Sequence, residues 1–496
     1  MAEAAKPTAA MQAVVVIHGM GEQRPMDTIK GFVRAVWETD HEIAKKNGLP
    51  NPTQVWSKPD ARTGSLELRR ITTRETIPGG EFPAGVRTDF YELYWADLTT
   101  GSTWEQFVAW VRGLLFRPWR RVPPDVHLAW ILLWAASALV LALAIVGVLP
   151  ATVWKSTRWP WMGDWHWILT AIAVAAMAGI HKIVAATFGR VVRYTQATPD
   201  NIAARAAVRE RGLALLRALH QGHYQRIVIV AHSLGTMLAH DLLSYFWAER
   251  EAARAIAKDS PDFDRLCRLE QAASGIERDE PHQADLADYF TAQRQMRLRL
   301  ARRPAPDPND PKQKDTRWLI SDFVTLGSPL THAEFLIASD QHDLRVRISD
   351  RELPESPPYS ELLDPAIRAL AVATRKLPIA TPAEDSRLIS FPVPPHYESW
   401  ELHHAAPFAV VRWTNIYDPA TLVFFGDIIG GPLAPVLGPA VVDVNLKELR
   451  GRQSWSFTHT KYWTLNRDQI HISALRAAVN LLDRDDADPN RVSGRT

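Results

Sequence analysis

Arg226-Ile-Val-Ile-Val-Ala-His-Ser-Leu-Gly235 runs from an apolar, β-branched segment into a tight turn. Ile227 to Val230 suit a buried parallel strand, and Thr236 to Trp247 then read as a helix. Strand, sharp turn, serine and helix form the context in which a hydroxyl is lifted above a sheet edge. Small flanking residues let the backbone bend there. Ala231 stands where this pattern usually has its first glycine, so the motif around Ser233 is A-x-S-x-G. A buried serine after an ordinary parallel strand would leave the same local trace.

Nearer the N-terminus, Ala13-Val-Val-Val-Ile17 is a second short buried strand, followed at once by His18-Gly19-Met20-Gly21. Asp27 can cap the next helix, in which Ile29, Phe32, Val33, Val36 and Trp37 recur at helical spacing. Glycines between a strand and a helix leave backbone N–H groups free to face a developing negative charge. A plain βα turn would also use them. Later strands are expected at Leu66 to Thr72, Asp89 to Trp95, Trp318 to Leu326, Val410 to Pro419 and Val441 to Val444. Asp418 closes the fourth of these, and His459 lies in a loop, Ser454 to Trp463, before a last helix from Asp468 to about Asp483. Asp427 and Asp443 are alternative acids, but Asp418 directly terminates a strand. His232 reads as packing beside the serine, and His18 as shaping its glycine loop.

The totals narrow the function classes. The chain has 496 residues and a formal net charge of +2, with no long basic block to hold nucleic acid. A single cysteine, Cys267, excludes an internal disulfide and suits a reducing compartment. His396, His403 and His404 fit no firm ligand spacing, so neither a metal nor an organic cofactor is expected.

Residues 126–149 carry no charge, and at ~1.5 Å rise per residue a stretch of about 20 can cross a bilayer core. A weaker span, 165–188, is interrupted by His181 and Lys182. Trp154, Trp159, Trp161, Trp165 and Trp167 gather between and at the start of the second, as in a headgroup belt. Arg117, Arg120 and Arg121 precede the pair and Arg190, Arg193 and Arg205 follow it, so the flanking domain is expected on the cytoplasmic side of a two-span membrane protein. The expected organisation is an N-terminal part (1–121), a transmembrane hairpin (122–190), a core with the serine turn (191–248), a polar helical or flexible insertion (249–316), a C-terminal part with acid and histidine (317–484), and a disordered tail (485–496).

Serine at a strand end, an acid at a later strand end and a histidine in a still later loop follow the chain order of α/β-hydrolases. In His18-Gly-Met-Gly21, Ala231-His-Ser-Leu-Gly235, Leu326-Gly-Ser-Pro329, Asn415-x-Tyr-Asp418 and His459-x-x-Tyr462 the chain resembles that superfamily. The likeness is to its membrane-associated, lipase-like branch, including GPI-inositol-deacylase-like and related bacterial hydrolases. It implies an α/β fold, a mostly parallel sheet flanked by helices, with the hairpin and polar segments as insertions. It also implies Ser233 as nucleophile, His459 as base and Asp418 as orienting acid. Backbone N–H groups of Met20 and Leu234 would receive the oxyanion, with His18, Gly19, Gly21 and Gly235 supporting them. The expected activity is cleavage of carboxylic esters, with a lipid or acyl ester as substrate and the bilayer as partner. A thioesterase or deacylase of acylated proteins, or an inactive scaffold of the same fold, would use the same frame.

Overall fold

The computed structural model describes residues 9–19, 24–44, 50–99, 199–276, 281–420 apart from 308 and 311, 425–466 and 469–485, with scattered positions between 118 and 175. A central eight-stranded sheet is built from β1 (Ala10–Ile17), β2 (Val55–Pro59), β3 (Arg69–Glu75), β4 (Val86–Leu93), β5 (Arg226–His232), β6 (Ile320–Leu326), β7 (Arg412–Tyr417) and β8 (Val442–Asn445). Their order is β8-β7-β6-β5-β1-β4-β3-β2. Neighbours from β8 to β4 are parallel, and β3 and β2 add an antiparallel edge.

Both faces of the sheet are covered, which is why its central strands are apolar at nearly every position. Ala13, Val15, Ile17, Ile227, Ile229 and Ala231 turn to one core, and Val14, Val16, Val228 and Val230 to the other. The first core is filled by α2 (Pro199–Gln221) and α3 (Gly235–Glu249), through Leu216, Leu219, Leu238 and Leu242. The second holds α1 (Asp27–Val33) and the C-terminal helix Ile470–Val479, through Ile29, Phe32, Leu475 and Val479. Each fully buried aliphatic side chain stabilises the fold by roughly 2 kcal/mol. The chain therefore leaves β1 toward one face and leaves the adjacent β5 toward the other. Where the two connections diverge, a crevice opens beyond the carboxyl ends of the strands, the usual place for a ligand on such a sheet.

Two local expectations change. Asp27 lies in the first turn of α1, and the cap position is Met26, in a left-handed conformation (φ 73°). The polar composition of 249–316 hides a buried stripe. In Gln283–Ala301 the side chains of Leu286, Tyr289, Met296 and Leu300 are buried, and Tyr289 Oη donates to the Phe408 carbonyl at 2.7 Å. Gln293 donates to the same carbonyl at 2.6 Å, so its interior amide is hydrogen-bonded rather than left bare.

The spans expected at 126–149 and 165–188 fall, apart from scattered positions, outside the described residues. Among the described residues no helix is long and apolar enough to cross a membrane. The scattered positions are helical, and Ile131 and Trp134 are 45% and 38% exposed.

Candidate active site

Ser233 follows β5 with φ at +54°, a left-handed conformation rare for any side chain with a Cβ. Its N–H donates to the Leu326 carbonyl at 3.0 Å, and its carbonyl accepts from the Thr236 N–H at 2.9 Å, so the turn is pinned on both sides. Thr236 Oγ1 adds a bond to the same carbonyl at 2.7 Å and meets Ser328 Oγ at 2.7 Å. Ala231, in the place of the pattern's first glycine, is buried in the sheet between Ile17 and Thr325, where its methyl is accommodated.

His459 meets Ser233 across the crevice, Nε2 to Oγ at 2.8 Å. Its Nδ1 lies 3.0 Å from both carboxylate oxygens of Asp427. A carboxylate only accepts, so Nδ1 carries the proton and Nε2 is left to accept from the serine hydroxyl. All three side chains are buried.

Asp418, expected as the orienting acid, is not the residue at the imidazole. It does stand at the end of β7, but its carboxylate is ion-paired with Arg450. The chain then loops outward and returns. The Asp427 N–H donates to the Asp418 carbonyl at 2.8 Å, the Gly426 N–H to Ser456 O at 3.1 Å, and the Thr458 N–H to Gly426 O at 3.0 Å. This backbone lacing joins the acid's loop to the histidine's loop and sets Asp427, the alternative carboxylate, beside His459. Asp443 is engaged elsewhere, accepting the N–H groups of Leu433 and Ala434 and the Asn415 amide. The traceable signal was Gly426-Asp427-Ile-Ile-Gly430, a turn in which Asp427 Oδ1 accepts from the N–H of Ile429 at 2.9 Å and of Gly430 at 3.1 Å.

Tyr462 completes the acid's surroundings, donating to Asp427 Oδ2 at 2.7 Å. Burial alone would raise the Asp427 pKa; the hydrogen bonds from His459, Tyr462 and Ile429 hold it below the ordinary carboxylate value. Gly327 (φ +54°) makes room for this arrangement, since a Cβ there would lie 2.5 Å from Asp427 Oδ2. Gly19 does the same for the serine: a Cβ there would come within 2.6 Å of Ser233 Cβ.

The histidines next to the serine and the glycine loop are structural. His232 Nε2 donates to the His459 carbonyl at 2.6 Å, and burial, with the neighbouring His459, lowers its pKa to about 3. It stays neutral and holds the His459 backbone in place. His18 donates from Nδ1 to the Gly19 carbonyl at 2.7 Å and accepts the Trp95 N–H at Nε2, 3.2 Å away. Trp95 Nε1 in turn donates to the His18 carbonyl at 3.0 Å, and the two rings stack.

Of the expected oxyanion donors, Leu234 stands at the N-cap of α3, where helix N–H groups have no intrahelical acceptor. Gly235 opens that helix. Met20 and Gly21 lie outside the described residues. Beyond the glycine loop, Met26 is tied to β4 by its N–H donating to Glu92 Oε2 at 2.9 Å. Burial raises the Glu92 pKa to about 7.

Among the described residues no group of His, Cys, Asp and Glu could hold a metal ion. His403 faces the Tyr359 carbonyl, 2.9 Å from its Nε2. Comparison of the chain with protein-family models, with curated proteins and with solved structures finds no match.

Proposed function

We propose that this chain is a serine hydrolase of the α/β-hydrolase type that cleaves carboxylic esters through an acyl-enzyme, with Asp427 as the acid. The observation that carries this reading is the unbroken relay Ser233 Oγ–His459 Nε2 at 2.8 Å and His459 Nδ1–Asp427 at 3.0 Å. A serine hydroxyl is a weak nucleophile until a base takes its proton during attack. His459 is placed to do that and then to return the proton to the leaving alcohol. Asp427 fixes the tautomer and stabilises the imidazolium. The Leu234 N–H, with one from the loop after Gly19, would receive the oxyanion, at about 3 kcal/mol per donor. Water, deprotonated by His459, then releases the acid.

Lipid esters are the substrate class we favour, with the chain held at the cytoplasmic side of a membrane through 126–149 and 165–188. The uncharged composition of the first stretch supports this, as do exposed Ile131 and Trp134 on its helical positions. The histidine's own loop adds Trp455 (78% exposed) and Phe457 (41% exposed), and the Phe457 ring lies 6.0 Å from that of His459. Aromatic side chains at such a rim suit contact with acyl chains or a headgroup layer. The test is fluorophosphonate labelling and hydrolysis of acyl lipids by the full-length protein in micelles. Both are expected in the wild type and absent in Ser233→Ala, which should lose at least about 10⁴-fold in kcat. Hydrolysis that survives Ser233→Ala would sink the proposal.

A further inference from the structure

The spacing His459-x-x-Tyr462 brings two rings to one carboxylate. Between them the Lys461 N–H donates to the Thr458 carbonyl at 2.8 Å, closing a turn. The imidazole Nδ1 lies 3.0 Å from both oxygens of Asp427, and the phenol donates to Oδ2 at 2.7 Å. The Ile429 and Gly430 N–H groups both go to Oδ1. Among the described residues, Oδ2 is therefore shared by Tyr462 and His459.

The phenol is itself held in place. Tyr462 is buried, its ring lies 5.9 Å from that of His232, and a Cβ on Gly327 would come within 2.7 Å of its Cε2. The Asp418 N–H donates to the Tyr462 oxygen, while the Asp418 carboxylate is taken by Arg450. A phenol has one proton to give, and with an N–H against its oxygen that proton is directed to Asp427. Tyr462 thus links the end of β7 to the loop of the second acid, through a hydrogen bond on each side of one oxygen.

We infer that Tyr462 is a positioning residue of the proposed hydrolase, a role that rests on the esterase reading. Its hydroxyl fixes the rotation of the Asp427 carboxylate and shares its charge, so that the imidazole proton stays on Nδ1 and Nε2 accepts from Ser233. It acts through Asp427 and not on the reacting atoms. A carboxylate that loses a donor becomes a stronger base, so without the hydroxyl the Asp427–His459 pair takes up a further proton at higher pH. The other titratable groups around the pair are His232, which stays neutral, and Asp418, held by Arg450.

Tyr462→Phe keeps the ring and removes the hydroxyl. With an acyl ester in micelles, the full-length variant should lose about tenfold in kcat with KM little changed. The acid limb of its kcat/KM profile should move up by about one pH unit, from the loss of one charge-assisted hydrogen bond. Replacing Tyr462 by a ring-fluorinated tyrosine keeps the hydroxyl and makes it a stronger donor. That limb should then move down, a result that decides the matter even if Tyr462→Phe does not fold. Should the wild type cleave no ester, the esterase reading fails, and NMR titration of the histidine rings decides this inference separately. Proton uptake by the Asp427–His459 pair, read at the ring signal that His459→Gln removes, should come at higher pH in Tyr462→Phe than in the wild type. Proton uptake at the same pH in wild type and variants, whatever the loss of kcat, would leave Tyr462 as packing alone and overturn the inference.

Discussion

Asp483 and Asp427, buried carboxylates at opposite ends of the central sheet, keep opposite company. At the amino ends of β5 and β6, Arg226 is ion-paired with Asp322, and Asp483 lies between Arg294 and Arg297, at 2.9 and 3.0 Å. At the carboxyl ends, Asp427 is surrounded by an imidazole, a phenol and two backbone N–H groups, and among the described residues no Lys or Arg lies within ion-pair distance of it. A guanidinium never gives up its proton, so the first kind of pairing is a fixed staple. An imidazole has one nitrogen that donates and one that accepts, so the second kind suits the proton transfer of the proposed function. Asp418 and Asp427 repeat the contrast within nine residues of chain: Arg450 makes the first a staple, and the second faces His459, where the proposed function uses it as an orienting acid.

The largest expected effect tests that last pair. Asp427→Asn should lower kcat by about 10⁴, through the wrong imidazole tautomer, with little loss of fold. Asp418→Asn should change kcat by less than about tenfold while costing about 3 kcal/mol, because Arg450 loses its buried partner. Steady-state kinetics and denaturant titration on both variants would read this, and equal losses of activity would erase the distinction.

At the opposite end of the sheet, Asp483→Asn should leave activity per folded molecule unchanged and cost about 3–5 kcal/mol in urea unfolding. Burial would raise the pKa of Asp483, but Arg226, Arg297 and Arg294 together pull it well below the usual carboxylate range. A depressed folded-state pKa stabilises the protein above the unfolded value of about 4, and that stability is lost as pH falls. The wild type should therefore show a steeper acid loss of stability below about pH 4 than the variant. A parallel acid limb in both would remove Asp483 from its role.

Glu92 gives the smallest effect and the reverse sign. Its folded-state pKa, about 7, lies above the ordinary 4.5, so the folded protein keeps a proton that the unfolded chain releases. Stability should fall as pH rises from about 4.5 to 7, by on the order of 3 kcal/mol, and then level off. Glu92→Gln keeps an acceptor for the Met26 N–H and should flatten that slope in thermal unfolding across this range. An unchanged slope would mean that another group is responsible.

The apolar runs at Ala13 to Ile17 and Ile227 to Val230 were legible because parallel strands covered on both faces need such residues at every position. The serine turn was legible as a candidate, since a strand running into Ala231-His-Ser-Leu-Gly235 and then a helix is the context such a turn needs. Polar composition misled at Gln283–Ala301, where a buried stripe is interleaved with long side chains that hydrogen-bond inside the protein. Strand termination misled at Asp418. Ending a strand places a Cα at the sheet edge but does not say which way the carboxylate turns, and Arg450, far along the chain, captured it.

The parallel core strands, the helix behind Ser233 and a histidine loop late in the chain can all be read from neighbouring residues alone. Each of these is a local pattern of burial or backbone bending written in neighbouring side chains. The tertiary structure decided which acid faces His459. That choice depends on peptide N–H and carbonyl groups pairing residues 426 and 427 with Ser456, Thr458 and Asp418. Every residue carries those backbone groups, so no side-chain pattern announces where two distant loops will be laced together.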